Sequence, residues 1–232
     1  MSIQKIFAVF AVLLLAGCAR GPMNFEADFD RYPTGTVIPH YDWTTNKAFS
    51  VEDGVGVFVI ETGMHGAGAH DARRRVDRAE LGVVVPYNQL IHQSFKFRLP
   101  SATRISTRFM ISQVKMPSSG SHSPSVAVYV DRGGRVKCNN FDSFQKIRFI
   151  NLPEGSIDDG DWHQVDIWIR FDEDNGYCRV DVDGITQIEE VDYRCVPPGG
   201  DRWGARARIG AYRDASLVDK VRIEYDDWTI DT

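Results

Sequence analysis

Over most of its length the chain alternates apolar and polar side chains with a period of two, and Gly, Pro, Asn and Asp punctuate the alternating stretches. That pattern belongs to half-buried antiparallel strands, because successive side chains of a strand point to opposite faces of its sheet. Helical periodicity is nearly absent. The alternation predicts strands over Val55 to Glu61, Arg78 to Val85, Ser94 to Leu99, Ile105 to Val114, Ser125 to Val130, Lys146 to Ile150, His163 to Phe171, Tyr177 to Val182, Thr186 to Val191, Ala205 to Tyr212 and Val221 to Ile230. Roughly ten to twelve strands in about two hundred residues rarely stay in one open sheet, so two packed sheets are expected. The predicted class is all-β, a two-sheet antiparallel β-sandwich of jelly-roll type.

The first seventeen residues stand apart from this pattern. Lys5, an apolar run from Ile6 to Leu15 and the small residues before Cys18 read as an export signal too short to span a bilayer comfortably. Leu15-Ala16-Gly17-Cys18 resembles the lipobox of bacterial lipoproteins, which makes Cys18 the expected site of lipidation; the other reading is an ordinary secretory signal with an incidental cysteine. No aspartate follows Cys18, so the expected destination is the outer membrane or cell surface. Residues 18–24 then serve as anchor and tether, and residues 25–232 as one domain.

A formal charge of −5 argues against nonspecific nucleic-acid binding and leaves any affinity for a polyanion to a local patch. The chain is expected to act as a monomer. Beyond the leader the cysteines are Cys138, Cys178 and Cys195, in a compartment that permits disulfides. One bonded pair and one thiol are expected, with the pairing open. Cys-x-x-Cys spacing is missing, so no zinc site is expected and no cofactor is required. Asp183-Gly184 suits a tight hairpin turn. His163 sits at the edge of an apolar strand face and reads as structural.

Alternation gathers polar side chains onto common faces. Arg78 and Glu80 point one way, Gln113 and Lys115 point together, and Arg206, Arg208 and Tyr212 share a face with Gly210, whose missing side chain is expected to leave room for a ligand. Arginine, glutamine, lysine and tyrosine together match a sugar acid. Arg73-Arg74-Arg75 either extends that positive patch or is a solvated loop. The loops Pro117 to Pro124 and Pro197 to Gly204 are candidate rims of a groove.

At these residues the chain resembles the alginate-lyase and heparin-lyase-I-like polysaccharide lyases, which share a concanavalin A-like jelly roll. Arg78-Ala79-Glu80-Leu81 matches the family's Arg-x-Glu-Leu segment, and Gln113-Val114-Lys115 matches its Gln-x-His strand in the glutamine alone. Arg208-Ile209-Gly210-Ala211-Tyr212 matches Lys-x-Gly-x-Tyr with Arg for Lys, and Tyr212-Arg213 resembles the ending of the heparin-lyase-like branch. The likeness runs from about Arg78 to Tyr212. It implies cleavage of a uronic-acid polymer by β-elimination. The proton at C5 lies beside a carboxylate and leaves only when that negative charge is bound, so that the developing enolate gains more than the ground state. Arg78 and Gln113 are assigned to that neutralisation, and Tyr212 to protonating the departing O4 and, in a syn elimination, to taking the C5 proton as well. Lys115 replaces the family's histidine and is left as a cation, a base or a solvated strand end. His70 and His122 are candidates for the missing imidazole. Arg206, Arg208 and Arg213 are expected to add cationic subsites, with Glu80 orienting Arg78. Jelly rolls of the type the chain resembles often hold a structural calcium ion between their terminal strands, which makes Glu26, Asp28 and Asp30 or Asp226 and Asp227, with their hard oxygen donors, candidates for one, none of them assigned. The competing function is a lectin-like surface lipoprotein that binds acidic polysaccharide without cutting it. A jelly-roll glycosidase ranks last, for lack of a Glu-x-Asp-x-x-Glu strand.

Overall fold

The computed structural model describes residues 23–31, 49–63, 76–86, 89–100, 108–116, 124–130, 134–139, 147–196, 205–214 and 220–232. The expected export signal, Cys18, Arg73 to Arg75, His70, His122, the side chain of Arg213 and the candidate rims over residues 117–123 and 197–204 lie outside them. The strands are β1 (Asn24–Ala27), β2 (Phe49–Glu52), β3 (Val55–Ile60), β4 (Val76–Val85), β5 (Leu90–Arg98), β6 (Phe109–Lys115), β7 (Val126–Val130), β8 (Gly134–Asn139), β9 (Ile147–Leu152), β10 (His163–Arg170), β11 (Gly176–Val182), β12 (Ile185–Tyr193), β13 (Ala205–Asp214) and β14 (Val221–Asp231).

These form the two antiparallel sheets of a jelly-roll sandwich, as the alternation predicts. One has eight strands in the order β12-β11-β10-β5-β14-β3-β2, with β1 also on β14; the other runs β4-β13-β6-β7-β8-β9. Every predicted strand is present with its ends moved by a few residues, while β1, β2 and β8 carry no prediction. The core between the sheets is aromatic, and Trp228, Tyr225, Phe29, Phe58, Phe95, Phe97, Phe109 and Phe171 are fully buried in it. Cys138 of β8 and Cys178 of β11 form the disulfide, which ties the two sheets together at one flank; Cys195 stays a buried thiol. Closing a loop across a sequence separation of 40 residues contributes on the order of 3–4 kcal/mol in the chain-entropy picture. Burial pushes the Cys195 thiol up to about 11, so it is chemically inert at neutral pH.

The hairpin between β11 and β12 turns as predicted, with positive φ at Asp183 (52°) and Gly184 (74°). Asp183 also anchors the structural histidine. His163 contacts Asp183 through Nδ1 and Asp159 through Nε2, both at 2.9 Å, and its ring packs against Phe97. Burial of the ring opposes its charge, but the two carboxylates outweigh that and hold the imidazole above its ordinary value. Glu26 and Asp28 pair with Arg31, and Asp227 with Lys96. Among the described residues no group of three or more His, Cys, Asp and Glu is arranged to hold a metal ion.

A raised folded-state value means that the stability His163 contributes is fully present below its ordinary value near 6.5 and is lost as pH rises through the raised value. The partner Asp159 is held below its ordinary value, first by the Asp161 backbone N–H and then by His163, so the pair survives well into the acid range. His163→Asn is expected to cost about 1–3 kcal/mol near pH 5.5 and clearly less near pH 9. Urea denaturation of both proteins at the two pH values checks this; an equal difference at both would rule the charged pair out.

Candidate functional site

The outward face of the six-stranded sheet carries the candidate residues, and the registers set them in rows. One row crosses the sheet as Gly82 (β4), Arg208 (β13), Gln113 (β6), Ala127 (β7), Lys137 (β8) and Phe149 (β9). A second runs Arg78, Tyr212, Met110, Tyr129, Arg135 and Asn151 over the same strands. Arg206 and Lys115 pair on the far side of the first row, so Lys115 lies beyond Gln113 as seen from Tyr212.

The rows are not parallel. Between them lie one residue on β7, two on β6 and three on β13, because the ladders slip at Met110/Ser112 and again at Ile209/Tyr212. These β-bulges fan the rows apart toward β4, as bulges re-aim side chains elsewhere. The wedge holds Glu80 above Gly210. Gly210 therefore has a different reason from the one expected. At φ 136°, a Cβ there would come within 2.2 Å of the Ala79 carbonyl oxygen, so the missing side chain accommodates β4 rather than a ligand.

Bulging leaves backbone groups off the ladder, and the opposite sheet supplies their partners. Tyr225 of β14 crosses the core, and its hydroxyl lies 2.8 Å from the carbonyls of both Ile111 and Gly210, donating to one at a time, while it accepts from the Gly210 N–H at 3.3 Å. Complete burial holds this phenol well above its ordinary value, so it stays a donor. Gln93 of β5 also reaches through, donating to Ser112 Oγ and to the Arg208 carbonyl, both at 3.4 Å. Ser112 in turn donates to that carbonyl at 2.9 Å.

Within the wedge the side chains converge on Glu80, which is only 3% exposed. Gln113 Nε2 donates to Oε1, Arg208 Nη1 donates to Oε2 at 3.3 Å, and Arg78 Nε lies 3.6 Å from Oε2. The Arg78 guanidinium also lies over the Tyr212 ring, 4.2 Å from its centroid. Guanidinium, carboxamide and phenol thus meet in one place. Glu80, grouped by the sequence with the substrate-binding side chains and expected to orient Arg78, has Arg78, Arg208 and Gln113 as its neighbours. Among the described residues two guanidiniums face this one carboxylate, and Gln113 carries a second N–H beyond the one given to Glu80.

Three residues of this face, Tyr129, Lys137 and Phe149, carry no sequence assignment. Tyr129 sits across Met110 from Tyr212 with Arg108 5.2 Å over its ring, and burial raises its phenol. Lys137 is 3% exposed, with its ammonium 5.6 Å from the Phe149 ring centroid. Burial, helped by Arg108, depresses Lys137 to about 8. The signal for Lys137 is the alternation of Arg135, Val136, Lys137 and Cys138.

A family model described as "Polysaccharide lyase" matches residues 43–229 of the chain. No curated protein matches the sequence. Among solved structures, a double mutant of alginate lyase Aly36B in complex with alginate tetrasaccharide is similar at TM-score 0.60 and 14% identity, over 90% of this chain and 96% of that one. Alginate lyase A1-II', a member of polysaccharide lyase family 7, is similar at TM-score 0.58 and 17% identity, over 80% and 83% of the two chains. Alginate lyase AlgAT5, of the same family, is similar at TM-score 0.53 and 13% identity, over 81% and 83%.

Tyr225→Phe removes only the hydroxyl that the bulge carbonyls share and leaves buried polar groups unsatisfied. A loss of about 1–3 kcal/mol is expected, read by chemical denaturation. An unchanged midpoint would show that the bulges hold without it.

Proposed function

The chain belongs to the polysaccharide lyase family and is an enzyme of that class, and we propose that it cleaves a uronic-acid polymer by β-elimination at the wedge between β4, β13 and β6. The observation that carries this reading is the convergence of Arg78, Arg208 and Gln113 on one buried carboxylate, with Tyr212 stacked on Arg78. The solved neighbours complexed with alginate oligosaccharides support an acidic polysaccharide as the substrate.

In the proposed reaction the substrate carboxylate takes the place above Gln113, where the second N–H of its carboxamide and the guanidiniums of Arg78 and Arg208 can meet it. Glu80 holds those donors in place before the substrate arrives, so little reorganisation is needed as the enolate forms. The C5–H bond breaks, its electron pair becomes the C4–C5 double bond, and the C4–O4 bond breaks with its pair leaving on O4. Tyr212 gives O4 a proton. Lys115 lies beyond Gln113 from Tyr212, so the reading assigns the C5 proton to Tyr212 too, as a syn elimination needs. Arg206 and Lys115 extend the cationic face past Gln113. Export and acylation at Cys18 belong to the same proposal, since a polymer too large to enter the cell must be met outside it.

Tyr212→Phe is expected to lower kcat by about 100-fold or more on any uronate polymer the wild type cuts, and Gln113→Ala by a similar factor. Both are followed by the ultraviolet absorbance of the unsaturated product. Oligosaccharide binding by Tyr212→Phe should persist. Full activity in Tyr212→Phe removes the phenol from the mechanism, whereas binding without cleavage by the wild type favours the lectin-like reading. In cells fed a labelled fatty acid, label is expected in the wild type and not in Cys18→Ser; label in both would place the acyl group elsewhere.

A further inference from the structure

Beyond the wedge, the sheet carries a second arrangement that the elimination chemistry does not use. Lys137 follows Gln113 in its row with only Ala127 between them, and Phe149 comes next. At about 4.8 Å per strand, Gln113 and Phe149 are roughly 14 Å apart across the sheet. Ala127 ends at its Cβ, so no long side chain of that row stands between the carboxamide and the ammonium.

Among the described residues, Lys137 has the environment of a cation lacking its counter-ion. It is almost fully buried, and the influences on its ammonium are burial and a second cation, Arg108, with no described carboxylate among them. A buried charge is expensive unless paired, and its usual partner inside a protein is a carboxylate. Phe149 beside it is 46% exposed, unusually open for a phenylalanine, and its ring borders the ammonium. An exposed aromatic ring next to such a cation suits a pyranose bearing a carboxylate: the ring covers the apolar C–H face and the ammonium takes the acid group.

We propose that Lys137 and Phe149 form a uronate-binding subsite on β8 and β9, separate from the reacting centre and reached across Ala127. It rests on the lyase reading for its substrate class. Lys137 binds the carboxylate of a sugar residue adjoining the one that reacts, and Phe149 stacks on that residue. The subsite sets how tightly the polymer is held and in which register it lies, not how fast the bond breaks.

Lys137→Met is expected to raise KM about tenfold with kcat within a factor of about three, and Lys137→Arg, which keeps the cation, to restore KM. Phe149→Ala is expected to raise KM severalfold. In the Tyr212→Phe background, calorimetric titration with an alginate oligosaccharide should show the same losses, while the carboxyl-reduced oligosaccharide binds equally with and without Lys137. If kcat falls in both Lys137→Met and Lys137→Arg at unchanged KM, Lys137 moves a proton and the subsite is wrong. Unchanged affinity in Lys137→Met and Phe149→Ala also overturns it. Should circular dichroism show that Lys137→Met does not fold, the exposed Phe149→Ala decides, and unchanged affinity there overturns the proposal. If the wild type cuts no uronate polymer, the lyase reading fails while the titrations still judge the subsite.

Discussion

The candidate site depends on a hydrogen bond made beneath it. Two bulges interrupt the ladder between β13, β6 and β7, and an interrupted ladder in a dry core is costly unless its carbonyls find donors. The Tyr225 hydroxyl, carried through the core from the opposite sheet, meets them. With that partner the strands can fan, Gly210 can press against β4, and Glu80 gains a wedge in which Gln113, Arg208 and Arg78 reach it. The sandwich is therefore more than a support, because one sheet supplies the donor that lets the other deform.

Charge follows the same economy. Neither arginine of the wedge is left to solvent, and both oxygens of Glu80 already face protein donors. It draws three donors to one place in the wedge. A surface ion pair of this composition would stabilise the fold very little. Desolvated, and with Tyr212 stacked on one member, the cluster is organised ahead of the substrate it is proposed to meet.

The alternation of polar and apolar residues made most of the fold legible, since a period of two fixes which face each residue joins. It also put Arg78, Gln113, Arg208 and Tyr212 on one face. What it could not carry was the slip in register. Bulges shift partners by one residue without leaving a mark in the pattern, so the wedge, the role of Gly210 and the place of Lys115 beyond Gln113 all depend on pairings between distant strands. β8 shows a different limit: a short run between glycine and paired asparagines has too few residues for its period to stand out, and Lys137 goes unassigned with it. Tyr225 alternates like any core aromatic, and nothing local distinguishes one whose hydroxyl crosses to the other sheet. Likewise, the choice of Cys138 and Cys178 over Cys195 follows from which strands the two sheets bring opposite one another.

The disulfide lies at the flank where Lys137 and Phe149 project, one residue along β8 from Lys137. The outward face is thus secured by two independent means, a hydrogen-bonded tyrosine under the wedge and a covalent tie beneath its far half. Such a division lets selection work on the halves separately. Substitutions on β8 and β9 can then reshape that half of the face while the bulges under the other half keep their pairing.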